Sequence, residues 1–186
     1  FPGRHAVSAR EDLAQLPENR LPDMLQSLIG SQLSGAHLVQ HSIENLDALD
    51  SSLDLRMTVE VPTFARRVGG ELLLSPPFVW SVGQLAALPQ RQTPLLIPAA
   101  THHRVRLFIR LPEGARLRTT LTPGKITDGD RYVRIDDTLE QGRLVLERVV
   151  HIPAGRIQPD EYPDFVQFAR RADAALAGTV RITLGE

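Results

Sequence analysis

Six histidines, the carboxylates of Asp128-Gly129-Asp130 and Asp136-Asp137, and the Gly69-Gly70 turn are the groups in this 186-residue chain that could do chemistry. His37 and His41 stand four apart, a spacing at which two imidazoles on a helix share a metal ion. Their neighbours alternate as in a strand, and at about 3.3 Å per residue the two lie roughly 13 Å apart, too far for one ion. His102 and His103 are adjacent in a predicted strand and so point to opposite faces. His5 sits at the chain start, and His151 has apolar neighbours. Asp128-Gly129-Asp130 opens like a cation loop but lacks the further oxygen ligands and terminal glutamate, and reads as a turn. Asp136 and Asp137 alternate across a strand and make no close acid–base pair. No serine sits in a nucleophile elbow, and Gly69-Gly70 lacks the helix and lysine of a phosphate loop. The chain has no cysteine, which removes thiolate catalysis, disulfides and cysteine-ligated metals. Neither catalysis, a metal nor a cofactor is expected of this segment.

Two aromatic residues remain as contact candidates. Trp80, the single tryptophan, stands near prolines, where it fits a core lid as well as a ligand contact. Tyr132 opens a patterned strand and could face solvent. With a net charge of −1 the chain has no general attraction for nucleic acid or an anionic membrane. All but one of its 21 basic residues are arginine, the exception being Lys125. Hydrophobic residues at 42% suffice for a core, and no apolar run approaches the roughly 20 residues of a membrane span. The chain begins at Phe1 without a leader pattern and is expected to be a piece of a longer protein. Its length suits one domain.

Helices are expected only near the two ends. Ala9 to Leu16 can make two turns before Pro17. A second helix is predicted from Asn19 as N-cap, with a stripe of Leu21, Met24, Leu25, Leu28, Ile29 and Leu33, closed by Gly35. Phe165, Phe168, Ala169, Ala172 and Leu176 mark one face of a C-terminal helix whose start is crowded by Asp160, Glu161 and Asp164. Gly178 stops it before a last strand, Thr179 to Leu184. Between these ends the period is two. Strands are predicted at Leu38 to Ile43, Leu53 to Val61, Phe64 to Val68, Glu71 to Leu74, Leu95 to Ile97, Thr101 to Leu111, Ala115 to Leu121, Arg131 to Leu139 and Arg143 to Ile152. Gly69-Gly70 and Glu140-Gln141-Gly142 are hairpin turns, Thr122-Pro123-Gly124 another turn, and Gln84 to Leu88 a short helical turn. The expected class is mainly β with flanking helices (α+β), an antiparallel β-sandwich-like domain. Residues 1–35 form its helical segment packed on the sheet, and 36–186 the sandwich with the C-terminal helix and final strand.

The run Ile157-Gln158-Pro159-Asp160-Glu161-Tyr162-Pro163-Asp164-Phe165-Val166-Gln167-Phe168, with Asp173 and the final strand, resembles the end of bacterial transglutaminase-like proteins. Leu53-Asp54-Leu55, the segment Phe64 to Leu74, Arg91-Gln92-Thr93-Pro94-Leu95 and Leu111-Pro112-Glu113-Gly114 look like the same C-terminal domain of unknown function, in the same order. The resemblance implies a non-catalytic companion of a papain-like core, in a protein that works in the periplasm or otherwise outside the inner membrane. The family's Cys-His-Asp triad belongs to that core, and this chain has no cysteine to match it. The implied partner is the core of the same parent chain. A different reading is a ligand-binding sandwich for a cell-envelope glycan or peptide, using Trp80 or Tyr132.

Overall fold

The computed structural model describes residues 10–13, 15–48, 51 and 53–184; His5 and the rest of segment 1–9 lie outside them. Two compact units divide between Phe64 and Ala65. The expected boundary at residue 35 therefore falls inside the first unit, where helix and strands pack together.

In the first unit, residues 10–13 and 15 are helical, and a 3-10 turn at Glu18–Arg20 leads into helix α1, Leu21–Gln32. Its N-cap is Arg20, not the expected Asn19, because the 3-10 turn runs straight into the helix, and no side chain caps it. Leu25 and Ile29 are buried, whereas Leu28 of the predicted stripe is 48% exposed. Helix α1 lies against strand β1, His37–Glu44. Gln26 stitches them: its Nε2 donates to the Ala36 carbonyl and its Oε1 accepts from Leu38 N, both at 2.8 Å. β1 pairs antiparallel with β2, Asp54–Glu60. Both His37 and His41 lie on β1, as their alternating neighbours indicated. Buried Arg10 donates to the carbonyls of Asn45, Leu46, Ala48 and Ser51, so one guanidinium holds much of the turn between the two strands.

The second unit begins with the hairpin of β3, Arg66–Val68, and β4, Glu71–Leu74, around Gly69-Gly70; Gly69 has φ +60°, which favours glycine. A 3-10 turn at Val82–Gln84 precedes β5, Leu95–Ile97. Then come β6, Thr101–Arg110, β7, Arg116–Leu117, β8, Gly124–Asp128, β9, Arg131–Glu140, and β10, Arg143–Ile152. β11, Gly155–Ile157, leads to helix α2, Tyr162–Leu176, and β12, Val180–Thr183, is the last strand. The ladders are antiparallel, in the orders β6-β10-β9-β8, β3-β4-β12-β7 and β11-β5. The fold is α+β, mainly β and antiparallel.

Three local expectations need correction. The strand predicted over 115–121 shrinks to β7, because only Arg116 and Leu117 find strand partners on β12; Thr119 instead accepts Arg181 N through its hydroxyl. β8 was hidden by Gly124 and by Ile126 being its only apolar residue, yet the Asp128-Gly129-Asp130 turn folds it onto β9 and Arg131 closes the turn on Asp128 at 2.9 Å. The helical turn comes earlier than 84–88, at 82–84.

Helix α2 is what the second unit closes around. Tyr162, Phe165, Phe168, Ala169, Ala172 and Leu176 are all buried, following the 3.6-residue period. They join Val133, Val150, Ile152, Leu95, Ile97 and Ile157 in one core. Each fully buried aromatic contributes roughly 1.5–3 kcal/mol by leaving water. Two polar contacts fix the helix. Tyr162 Oη donates to the Leu88 carbonyl at 2.8 Å. Asp173 accepts from Ser81 Oγ (2.7 Å), Val82 N (2.7 Å) and Gly83 N (3.0 Å), capping the 3-10 turn from the helix side. Asp173→Ala is expected to cost roughly 2–4 kcal/mol, since it leaves two backbone N–H groups unpaired. Gly83→Ala should destabilise as well, because its Cβ would sit 2.6 Å from Asp173 Oδ2. Urea unfolding measures both, and wild-type stability in both variants would show that the cap does not hold the helix.

Candidate functional site

Strand β10 is central in its sheet, and its alternation decides what each face carries. Leu144, Leu146, Arg148, Val150 and Ile152 point one way; Arg143, Val145, Glu147, Val149 and His151 point the other. Register places Arg110, Phe108, Arg106, Arg104 and His102 of β6 beside the second set, and Glu140, Thr138, Asp136, Arg134 and Tyr132 of β9 on its other side. Lys125 of β8 lies opposite Arg134. This face thus gathers five arginines and Lys125 against the three carboxylates of Asp136, Glu140 and Glu147.

Glu147 is the centre of the face. Its side chain is only 8% exposed and meets Arg104 Nη2 (2.9 Å), Arg134 Nη2 (2.9 Å) and Arg106 Nε (3.4 Å), from a strand on each side. The three arginine side chains are about half exposed, while Val145 and Val149 on the same face of β10 are buried. The hydrogen bond from Arg104 holds the Glu147 carboxyl below the usual glutamate range; burial works against this, and the charges of Arg104, Arg134 and Arg106 add to it. The same contact raises the Arg104 guanidinium. A carboxylate so engaged is a poor general base. It serves instead to hold three cations in fixed positions.

Aromatic rings flank this cluster at both ends. Phe108 is 55% exposed, with the Arg106 and Arg143 guanidinium carbons 4.9 and 5.3 Å from its centroid. At the other end the His151 ring lies 5.1 Å from Tyr132 and 5.7 Å from His102, and Lys125 Nζ stands 4.7 Å over Tyr132. The second candidate does not join it: Trp80 is partly buried against the core. His103 faces away from His102, as strand alternation requires, and donates from Nε2 to the Phe78 carbonyl at 2.7 Å. Asp136 and Asp137 likewise part company. Asp137 is buried on the opposite face in a two-pronged ion pair with Arg148, one prong at 2.8 Å. Among the described residues no group of three or more His, Asp or Glu could hold a metal ion.

Recesses elsewhere offer less. One of about 240 Å³ is lined by Ala86, Leu88, Val166, Arg170 and Asp173, and another of about 420 Å³ by Ser75, Val79, Ser81 and Asp173. The carboxylate they share is already occupied in capping the 3-10 turn. Sequence reasoning passed over Glu147 altogether. Its signal was present as a charged pair, Glu147-Arg148, inside an otherwise apolar central strand, which demands partners on both faces.

Residues 71–181, more than half of the chain, match the model of DUF3858, a domain of unknown function with a solved structure. The chain belongs to the DUF3858 family. The matched DUF3858 span contains the whole arginine-aromatic face, α2 and its Asp173 cap. The structure is similar to a Parabacteroides distasonis protein described as a "putative protease", with TM-score 0.52 and 16% identity over 62% of this chain. That likeness shows the fold, and this DUF3858 chain spans only 24% of the length of that protein. No curated protein matches.

Because the folded carboxyl of Glu147 titrates below its unfolded value, the unfolded chain takes up the proton first as pH falls. Its stabilising contribution is therefore present above the normal glutamate range and lost in acid. The stability gap between wild type and Glu147→Gln, read by urea unfolding, should be full near pH 7 and narrow by about pH 3. A gap that stays constant over that range would contradict the ion-pair account.

Proposed function

We propose that this DUF3858 chain is a non-catalytic accessory domain of a longer, exported transglutaminase-like protein, and that it packs on the core of that protein and supports it. The observation that carries the reading is the arginine-aromatic face: cations positioned by one shared carboxylate, outnumbering the acids around them, on a rigid sheet. Such a face is built for contact with an acidic surface rather than for bond-making, since its central carboxylate is tied up by arginines. Further support comes from the ordered motifs along the chain and from a similar fold forming about a quarter of a larger protein. Work in the periplasm follows from the same family resemblance. No helix among the described residues is long and apolar enough to cross a membrane.

A second reading has one specific observation in its favour. The Tyr132 ring, with Lys125 above it and His151 beside it, forms a small platform on the outward face that could stack a glycan or peptide ligand.

Co-purification with the separately expressed transglutaminase-like core tests the first reading. A complex is expected, weakened about tenfold by Arg143→Glu, a charge reversal outside the Glu147 cluster. No binding at high micromolar concentration would count heavily against it. Retention on envelope glycan instead, lost in Tyr132→Ala, would favour the second.

A further inference from the structure

The sheet bearing the arginine face ends in an open edge. β6 runs ten residues, and among the described residues it pairs with a strand along one side only, that of β10. Its other side presents backbone donors and acceptors that one more strand would satisfy. Edge strands are commonly blunted by a bulge, a proline, shortness or charge; β6 has an unbroken register with β10 from Thr101 to Arg110 and no proline, and the charge it carries is all of one sign, which an acidic strand would match. Its outward side chains are His102, Arg104, Arg106, Phe108 and Arg110; those turned to the opposite face, His103, Val105, Leu107 and Ile109, are half-buried. The strand carries three arginines and no acid. Arg104 and Arg106 share Glu147 with Arg134, and Arg110 has no ion pair among the described residues.

We propose that the free edge of β6 accepts an extended segment of another polypeptide in which acidic residues alternate with apolar ones, added as a fifth strand to this sheet. The proposal rests on the reading of the chain as an interaction domain and specifies the chemistry of what it contacts. An added strand places its side chains about 4.5–5.5 Å, Cβ to Cβ, from those of β6 in directly opposed pairs. Carboxylates at alternate positions then meet Arg104, Arg106 and Arg110 on the outward face. The intervening residues fall beside Val105, Leu107 and Ile109, where apolar side chains complete a surface left half-covered. Main-chain hydrogen bonds hold the segment, and the alternation selects it. A second copy of β6 is a poor occupant, because its arginines would face these arginines.

The test uses two short fluorescein-labelled peptides of identical composition, one alternating glutamate with valine and one with the glutamates gathered in a block. Fluorescence anisotropy should show micromolar binding of the alternating peptide, with the block peptide at least about tenfold weaker. Arg110→Glu, checked for wild-type melting, should weaken the alternating peptide by about tenfold. Hydrogen exchange should show new protection in Thr101–Arg110 and none in β8. Equal binding of the two peptides would reduce the effect to net charge and overturn the proposal. So would absence of binding, protection elsewhere, or self-association through β6. The core co-purification separates the two claims. Peptide binding on β6 without a core complex leaves this inference standing and removes the transglutaminase partner. A core complex in a chain that ignores both peptides does the reverse.

Discussion

One buried helix face constrains the whole second unit. The six buried residues of α2 need an apolar surface on the far side, and Val133, Val150, Ile152 and Ile157 supply it from three strands. Burying a helix against a sheet also fixes its rotation and depth, and here two polar contacts do so. Tyr162 reaches the Leu88 carbonyl near the helix start, and Asp173 receives the 3-10 turn near its end. The loop from Pro76 to Pro94 has little regular structure. It is ordered because the helix offers it one hydrogen-bond acceptor, one donor and an apolar floor for Val82 and Leu85. Close contact is enforced at Gly83, where nothing larger than hydrogen fits beside the carboxylate.

Because the core claims one face of the β6-β10-β9-β8 sheet at the helix, the opposite face is left to carry charge. A bare face of valines would be a sticky surface. Val145, between Phe108 and Thr138, and Val149, between Arg104 and Arg134, are buried there, and Glu147 anchors three arginines in fixed positions. Fixing them beforehand lowers the entropy that an acidic partner would otherwise have to overcome on binding. On the other face, the Asp137–Arg148 pair performs a different task. It pairs two opposite charges buried within the sheet. Adjacent residues, 147 and 148, thus serve opposite sides of one strand.

Much of the fold was legible. The stripe Phe165, Phe168, Ala169, Ala172, Leu176 could be read directly, because a helix against a core repeats its apolar residues with a period no other element shares. β6, β9 and β10 were legible from alternation, and their turns from Asp128-Gly129-Asp130 and Gln141-Gly142. What escaped were elements whose partners are distant or whose alternation is slight. β11 has three residues and exists because Leu95–Ile97 waits for it; β8 pairs with its sequence neighbour β9 but shows too little alternation to be read, with Ile126 its one apolar residue against the core. The arginine face was half legible: the apolar series of β6 stood out, while its arginine series looked like ordinary solvated surface. Only register across three strands reveals that Arg104, Arg106 and Arg134 converge on one glutamate. Trp80 drew notice as a lone tryptophan, yet its neighbours put it against the core.

The central claim, that α2 pins the sheet beneath the charged face, is tested most directly by native-state hydrogen exchange. If it holds, the amides of α2 and of β9 and β10 exchange last and together, through one opening with the same free energy and the same urea dependence. Should α2 exchange through a separate, lower-energy opening while β9 and β10 stay protected, the helix is a passenger on a sheet that stands without it, and the account is wrong.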